Sequence, residues 1–287
     1  MTEPETRTLE VPGVVLTYDV RPAPGSALPA LLMIGSPMDA TGFADLAERF
    51  PDRVVVTYDP RGTGRSVKAD PGSESTPGQH ADDLHRLIAV VGAPVDVFAS
   101  SGGAVNALAL VARHPEQVRV LVAHEPPAAQ ALPDRERALS AVARVREAYD
   151  RQGFGPAMAR FIGLTGHRGE FPADAADLPG PNPADLGLPT EDDGRRDDPL
   201  LGQNLITCTH YEHDFGALRA ASTRIVLGVG AETEGEMAHR GGLAVAERLG
   251  TTAVTFPSHH GGFLGDNPWM KGDPDGFAVT LRAVLAG

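Results

Sequence analysis

The chain carries a succession of apolar runs of strand length that are near-continuous rather than alternating. They fall at 30–34, 54–58, 95–99 and 118–122, then at 225–229 and 253–256. A strand with one wet face would alternate apolar and polar residues, whereas a near-continuous run suits a strand covered on both faces, as in a parallel sheet between helices. The segments 42–50, 79–91, 103–113, 235–249 and 275–285 space their apolar residues near i, i+3 and i+4, the helical period. Strand and helix in alternation predict an α/β fold with a doubly wound, mostly parallel sheet. Ahead of these units, 8–11 and 14–20 are β-rich and flank Pro12-Gly13, which predicts an opening hairpin.

The rhythm breaks between 128 and 219. Residues 135–150 read as one amphipathic helix and 155–164 as another. The stretch 170–196 is rich in Pro, Gly and Asp, and the charged run EDDGRRDD at 191–198 reads as a solvated loop tip. The expectation is a core domain of 1–127 and 220–287, with 128–219 inserted as a helical cap that holds one long, mobile loop.

A chain of 287 residues suits one α/β domain with such an insertion, and 41% hydrophobic against 22% charged residues predicts a packed core. The formal net charge of -13 repels nucleic acid and anionic membrane, so neither is expected as a partner. The single cysteine, Cys208, excludes an intramolecular disulfide. The first ten residues have neither the basic nor the apolar stretch of a signal peptide, and no run reaches the roughly 18 apolar residues of a membrane span. A cytoplasmic protein is expected, with export by a leaderless route left open.

Chemistry concentrates in four stretches. In PVDVFASSGGAVNALAL, 94–110, a strand gives way to a helix through Ala99-Ser100-Ser101-Gly102-Gly103. A nucleophile on a strained strand-to-helix turn needs small residues two places before and after it. Ser101 meets this with Ala99 and Gly103; Ser100 would put Phe98 in a crowded place. The next N–H, that of Gly102, would face a developing oxyanion at the helix N-terminus. The other three stretches are LLMIGSPMDATGF at 31–43, DPRGTGRS at 59–66 and VTFPSHHGGFLGD at 254–266. The Gly-x-Gly of 62–64 is not read as a phosphate loop, since no helix opens there and no Gly-Lys-Ser/Thr follows.

In this order the four stretches resemble the α/β-hydrolase superfamily over 7–127 and 220–287. The resemblance implies an ester-, lactone- or thioester-cleaving enzyme with no cofactor and no metal, acting on a small, largely apolar molecule. It implies a backbone N–H from Ser36 as the second oxyanion donor, in a loop where Ile34 replaces the usual His. It implies a structural role for 59–66, and His260 rather than His259 as the base. The acid stays open. The usual site follows the strand at 225–229, where Thr233 stands in place of Asp between Glu232 and Glu234. Some relatives, such as haloalkane dehalogenases, draw a Glu from the preceding strand end, here Glu125, and Glu125 is favoured. Dehalogenase and epoxide hydrolase chemistry are disfavoured because both need Asp where Ser101 stands. A lyase, cofactor-free oxygenase or perhydrolase on the same fold, or a non-catalytic binding protein, are the competing readings. The expected partner is a small-molecule substrate, with a homodimer left open. His210, Tyr211 and His213, beside Cys208, are read as lying on the last cap helix with one or two of them facing the pocket, rather than as a metal site, and Trp269 and Met270 as packing residues.

Overall fold

The computed structural model describes residues 3–174, 178, 180–265 and 271–287. Trp269, Met270 and part of the loop expected over 170–196 lie outside the described residues. The hairpin pairs β1 (Glu5–Val11) with β2 (Val14–Arg21) in antiparallel register, Val11 opposite Val14. Its tight turn puts Gly13 at φ 79°, a conformation that glycine adopts without cost.

There follow β3 (Leu31–Ile34), α1 (Ala44–Glu48), β4 (Val55–Tyr58), β5 (Val67–Lys68), α2 (Pro77–Val91), β6 (Val95–Ser100), α3 (Gly102–Arg113) and β7 (Val118–His124). The described residues place all their strands in one sheet, in the order β1-β2-β4-β3-β6-β7 with two later strands beyond β7 and β5 paired to β2. From β4 onward along this order the neighbours run parallel. The residues of β3, β4 and β6 are buried throughout, which is why these strands read as near-continuous apolar runs. The helix expected at 42–50 is divided: a 3-10 turn at Ala40–Phe43, capped by Asp39, precedes the short α1. At α2, Thr76 and Gln79 form a reciprocal capping box with Pro77 in the first turn, which explains the sharp start of that helix.

After β7 the chain leaves the sheet through Pro126-Pro127. It forms α4 (Arg135–Gln152), α5 (Phe154–Gly166), a π-helical turn at Leu200–Asn204, α6 (Leu205–Thr209) and α7 (Phe215–Ala220). It then returns as β8 (Arg224–Gly230), α8 (Met237–Leu249), β9 (Val254–Phe256) and α9 (Pro274–Ala286). The excursion has a small core of its own, in which Ala138, Val142, Val145, Tyr149, Leu164, Leu201 and Leu205 pack together and meet Met237 of α8. Helix α7 instead sinks Phe215 and Leu218 into the main core beside α3. Tyr211 and His213 are not on a helix, contrary to the sequence expectation. They lie in the coil between α6, which ends at Thr209, and α7, which starts where Asp214 caps the Ala217 N–H. No helix among the described residues is long and apolar enough to cross a membrane.

Candidate active site

Strand β6 ends at Ser100 and α3 begins at Gly102, so Ser101 makes the turn alone. It takes φ 57° and ψ -128°, a strained conformation for a residue with a side chain. Backbone hydrogen bonds on both its N–H and its carbonyl hold it there. The Ser101 N–H donates to the His124 carbonyl at the end of β7 (2.9 Å), and the Ala104 N–H donates to the Ser101 carbonyl (2.9 Å). The Ser101 hydroxyl takes no part in capping α3, and Ser101 is half-buried where Ser100 is buried.

The glycines that follow have a steric cause. A Cβ on Gly103 would sit 2.4 Å from the Ile34 carbonyl oxygen, and one on Gly102 would sit 2.5 Å from that of Ser36. The loop after β3 therefore lies directly on the first turn of α3, and only glycine permits that approach. The same loop is braced by the 59–66 stretch. Asp59 accepts from the Ala40 N–H (3.1 Å) and from Arg65, through its backbone N–H (2.7 Å) and its guanidinium. Ser66 bonds the Asp59 carbonyl (2.6 Å) and receives the Thr17 N–H of β2 (2.9 Å).

Ser36 is buried in that loop, and its hydroxyl donates to Asn204 Oδ1 (2.8 Å). Asn204 ends the π-helical turn, and Cys208, one turn further on, would lie 3.2 Å from a Cβ on Gly102. The excursion thus reaches the elbow through two side chains. Sequence reasoning missed Asn204: it stands 168 residues from its partner with no local pattern around it.

Glu125 follows β7 at φ 47°, with its N–H bonded to the Gly228 carbonyl of β8 (2.9 Å). Its carboxylate is 0% exposed and lies 2.6 Å, through Oε2, from His260 Nδ1, in the turn after β9. The other oxygen, Oε1, accepts the Gly230 N–H (2.8 Å) and the Thr233 hydroxyl. Burial alone would raise the pKa of this carboxyl. The hydrogen bond and charge of His260, the neighbouring His124 and the Thr233 hydroxyl outweigh it and bring the group down to about 2. An ionised carboxylate at Nδ1 selects the ring tautomer with its proton on Nδ1, which leaves Nε2 as the acceptor. His260 keeps 40% of its side chain exposed.

The remaining candidates lie elsewhere. Glu232 and Glu234 are exposed, and Arg168 donates to the Glu232 backbone carbonyl (2.8 Å). His259 accepts the Gly261 N–H on Nδ1 (3.1 Å), and its Nε2 is buried without a partner among the described residues. His124, which sequence reasoning also missed, is fully buried among Phe98, Phe256 and Phe277. Burial pushes it down to about 3, so it stays neutral at ordinary pH. Its ring centroid is 6.1 Å from that of His260, so the end of β7 carries the Ser101 backbone, His124 and Glu125 side by side. The Cys208 thiol is pushed up to about 12 by burial, and no group of three His, Cys, Asp or Glu among the described residues converges as a metal would require.

No family model matches the chain. Over 121 residues it is 45% identical to a protein named uncharacterized hydrolase YraK from Bacillus subtilis strain 168. The match covers 42% of this chain and 44% of that protein, so the chain matches less than half of that relative's length. Among solved structures it superposes on a thermophilic esterase from Thermogutta terrifontis with a TM-score of 0.65 at 20% identity, covering 99% of this chain and 98% of that one. It superposes equally on the enol-lactonase from Burkholderia xenovorans LB400, with a TM-score of 0.65 at 19% identity, covering 98% and 100%. These superpositions take in both the sheet and the excursion, and together with the strand order they show that this chain has the α/β-hydrolase fold.

Proposed function

We propose that the protein is a serine hydrolase that cleaves an ester, lactone or thioester of a small, largely apolar molecule. In this reading Ser101 Oγ attacks the carbonyl carbon while His260 Nε2 takes its proton. Glu125 holds the imidazole in the required tautomer and stabilises the imidazolium. The N–H groups of Gly102 and Ser36 receive the oxyanion, His260 returns the proton to the leaving oxygen or sulfur, and water releases the acyl group by the same steps. The observation that carries the proposal is the 2.6 Å contact between Glu125 and His260 Nδ1, formed beside the strand end that also pins the strained backbone of Ser101. The esterase and enol-lactonase superpositions support the same class of bond. We place the roof of the pocket in residues 128–219, since Asn204 and Cys208 of that segment touch the loop and helix around Ser101.

The test is a panel of short p-nitrophenyl esters, lactones and thioesters, with a fluorophosphonate probe and peptide mass spectrometry. Turnover that disappears in Ser101→Ala, with the label on Ser101, is expected. Labelling at Ser100, or full turnover in Ser101→Ala, overturns the nucleophile. A labelled Ser101 with no turnover across the panel overturns the hydrolytic reading in favour of another chemistry on this fold.

A further inference from the structure

The place after β8 where the acid was sought holds a hydroxyl instead, and that hydroxyl touches the carboxylate that stands elsewhere. Thr233 is 1% exposed. Its Oγ1 lies at hydrogen-bonding distance from Glu125 Oε1, from the Gly230 carbonyl (3.1 Å) and from His239 Nδ1 (3.2 Å), in the first turn of α8. Threonine has a single hydroxyl proton to share among these. A carboxylate held near pH 2 is ionised at neutral pH and can only accept. The proton of Thr233 therefore goes to Glu125, and Thr233 in turn accepts from His239, whose proton sits on Nδ1. The Gly230 N–H reaches the same oxygen (2.8 Å). The Gly230 N–H and the Thr233 hydroxyl both point at Oε1, and Oε2 is left to His260. A Cβ at residue 230 would lie 2.9 Å from Thr233 Oγ1 and 3.3 Å from Glu125 Oε1, so the glycine there permits the close packing of the group.

We infer that Thr233 and His239 are positioning residues that lock the rotation of the Glu125 carboxylate, aligning Oε2 on His260 Nδ1. The inference rests on the assignment of Glu125 and His260 to one catalytic unit. Three histidines, His124, His239 and His260, face this carboxylate. Only His239 reaches it through an intervening hydroxyl, with its own Nδ1 3.8 Å from Oε1.

Two readouts separate this role from a merely structural one. The first, which needs no substrate, is the downfield proton NMR resonance of the His260 Nδ1–H. The second is kcat and KM for an ester that the wild type turns over. Thr233→Val removes the donor at nearly constant shape. It is expected to broaden or abolish the resonance and to lower kcat on the order of 10²-fold, as a misaligned catalytic group does, with KM within about twofold. Thr233→Ser keeps the hydroxyl and restores both. His239→Asn presents an amide N–H near the place of Nδ1 and keeps the resonance, whereas His239→Leu weakens it. This second pair decides the matter should Thr233→Val not fold. An unchanged resonance and kcat in Thr233→Val, equal losses in the Val and Ser variants, or equal behaviour of His239→Asn and His239→Leu would overturn the inference. A wild type inert to every ester, in which the resonance still follows Thr233 and His239, would sink the hydrolase reading and leave the positioning role standing.

Discussion

Replacing Glu125 by Gln should inactivate the enzyme without unfolding it, and the geometry determines how. Two donors, the Gly230 N–H and the Thr233 hydroxyl, converge on Oε1. In Glu125→Gln the amide oxygen must take that place, because an NH2 group there would face two donors in a fully buried site. The NH2 is then turned to His260 Nδ1, 2.6 Å away in the wild type, and can only donate. His260 must accept on Nδ1 and carry its proton on Nε2, where a base for Ser101 is required. Every hydrogen bond is satisfied, but in the wrong tautomer. Loss of the correct tautomer costs about 10⁴-fold in kcat in a Ser-His-Asp enzyme, which at about 1.4 kcal/mol per tenfold is about 5.5 kcal/mol of transition-state stabilisation. The fold should persist, because the replacement leaves no buried donor or acceptor unpaired. The assay is turnover of a short p-nitrophenyl ester alongside thermal unfolding, with the exposed residues Glu232→Gln and Glu234→Gln as controls. A folded Glu125→Gln protein within tenfold of wild-type kcat would refute the tautomer argument. So would an equal loss in either control.

His260→Ala should lower kcat by roughly 10³-fold or more, while His259→Ala, whose ring nitrogen bonds only the Gly261 N–H among the described residues, should change it far less; kinetics of the two variants side by side decide which histidine acts. Gly103→Ala forces a methyl to 2.4 Å from the Ile34 carbonyl oxygen, so a denaturation curve should show a cost of about 1–3 kcal/mol together with reduced turnover, because the loop carrying Ser36 must move. The Glu125 carboxyl is lowered from 4.5 to about 2 in the folded protein. Its stabilising contribution is therefore present above about pH 4.5 and is lost as pH falls towards 2. Acid unfolding followed by circular dichroism should then show the stability difference between wild type and Glu125→Gln shrinking over that interval.

The sheet and its layering were legible because burial on both faces writes itself into a strand as an apolar run, and a helix on a sheet writes a 3.6-residue period. The runs at 95–99 and 118–122 became β6 and β7, each longer by one or two residues. The glycine-rich turn after β6 was legible for a similar reason: close backbone approach demands small residues locally, and Gly102 and Gly103 lie under the loop after β3. Other features depend on pairings between distant segments. The acid stayed open among Glu125, Glu232 and Glu234 in the sequence because the choice turns on which strand end faces His260, and Glu125 is 135 residues from it. Nothing near Thr233 or His239 announced that they would meet that carboxylate, since the contact forms only when β7 and β8 lie side by side and α8 folds back over them. Asn204 was silent for the same reason, and the single last cap helix expected around Tyr211 and His213 is instead two short ones, α6 ending at Thr209 and α7 starting anew at the Asp214 cap. Local patterning follows from short-range sterics and burial; the partners of a buried polar group are chosen by the packing of the whole chain.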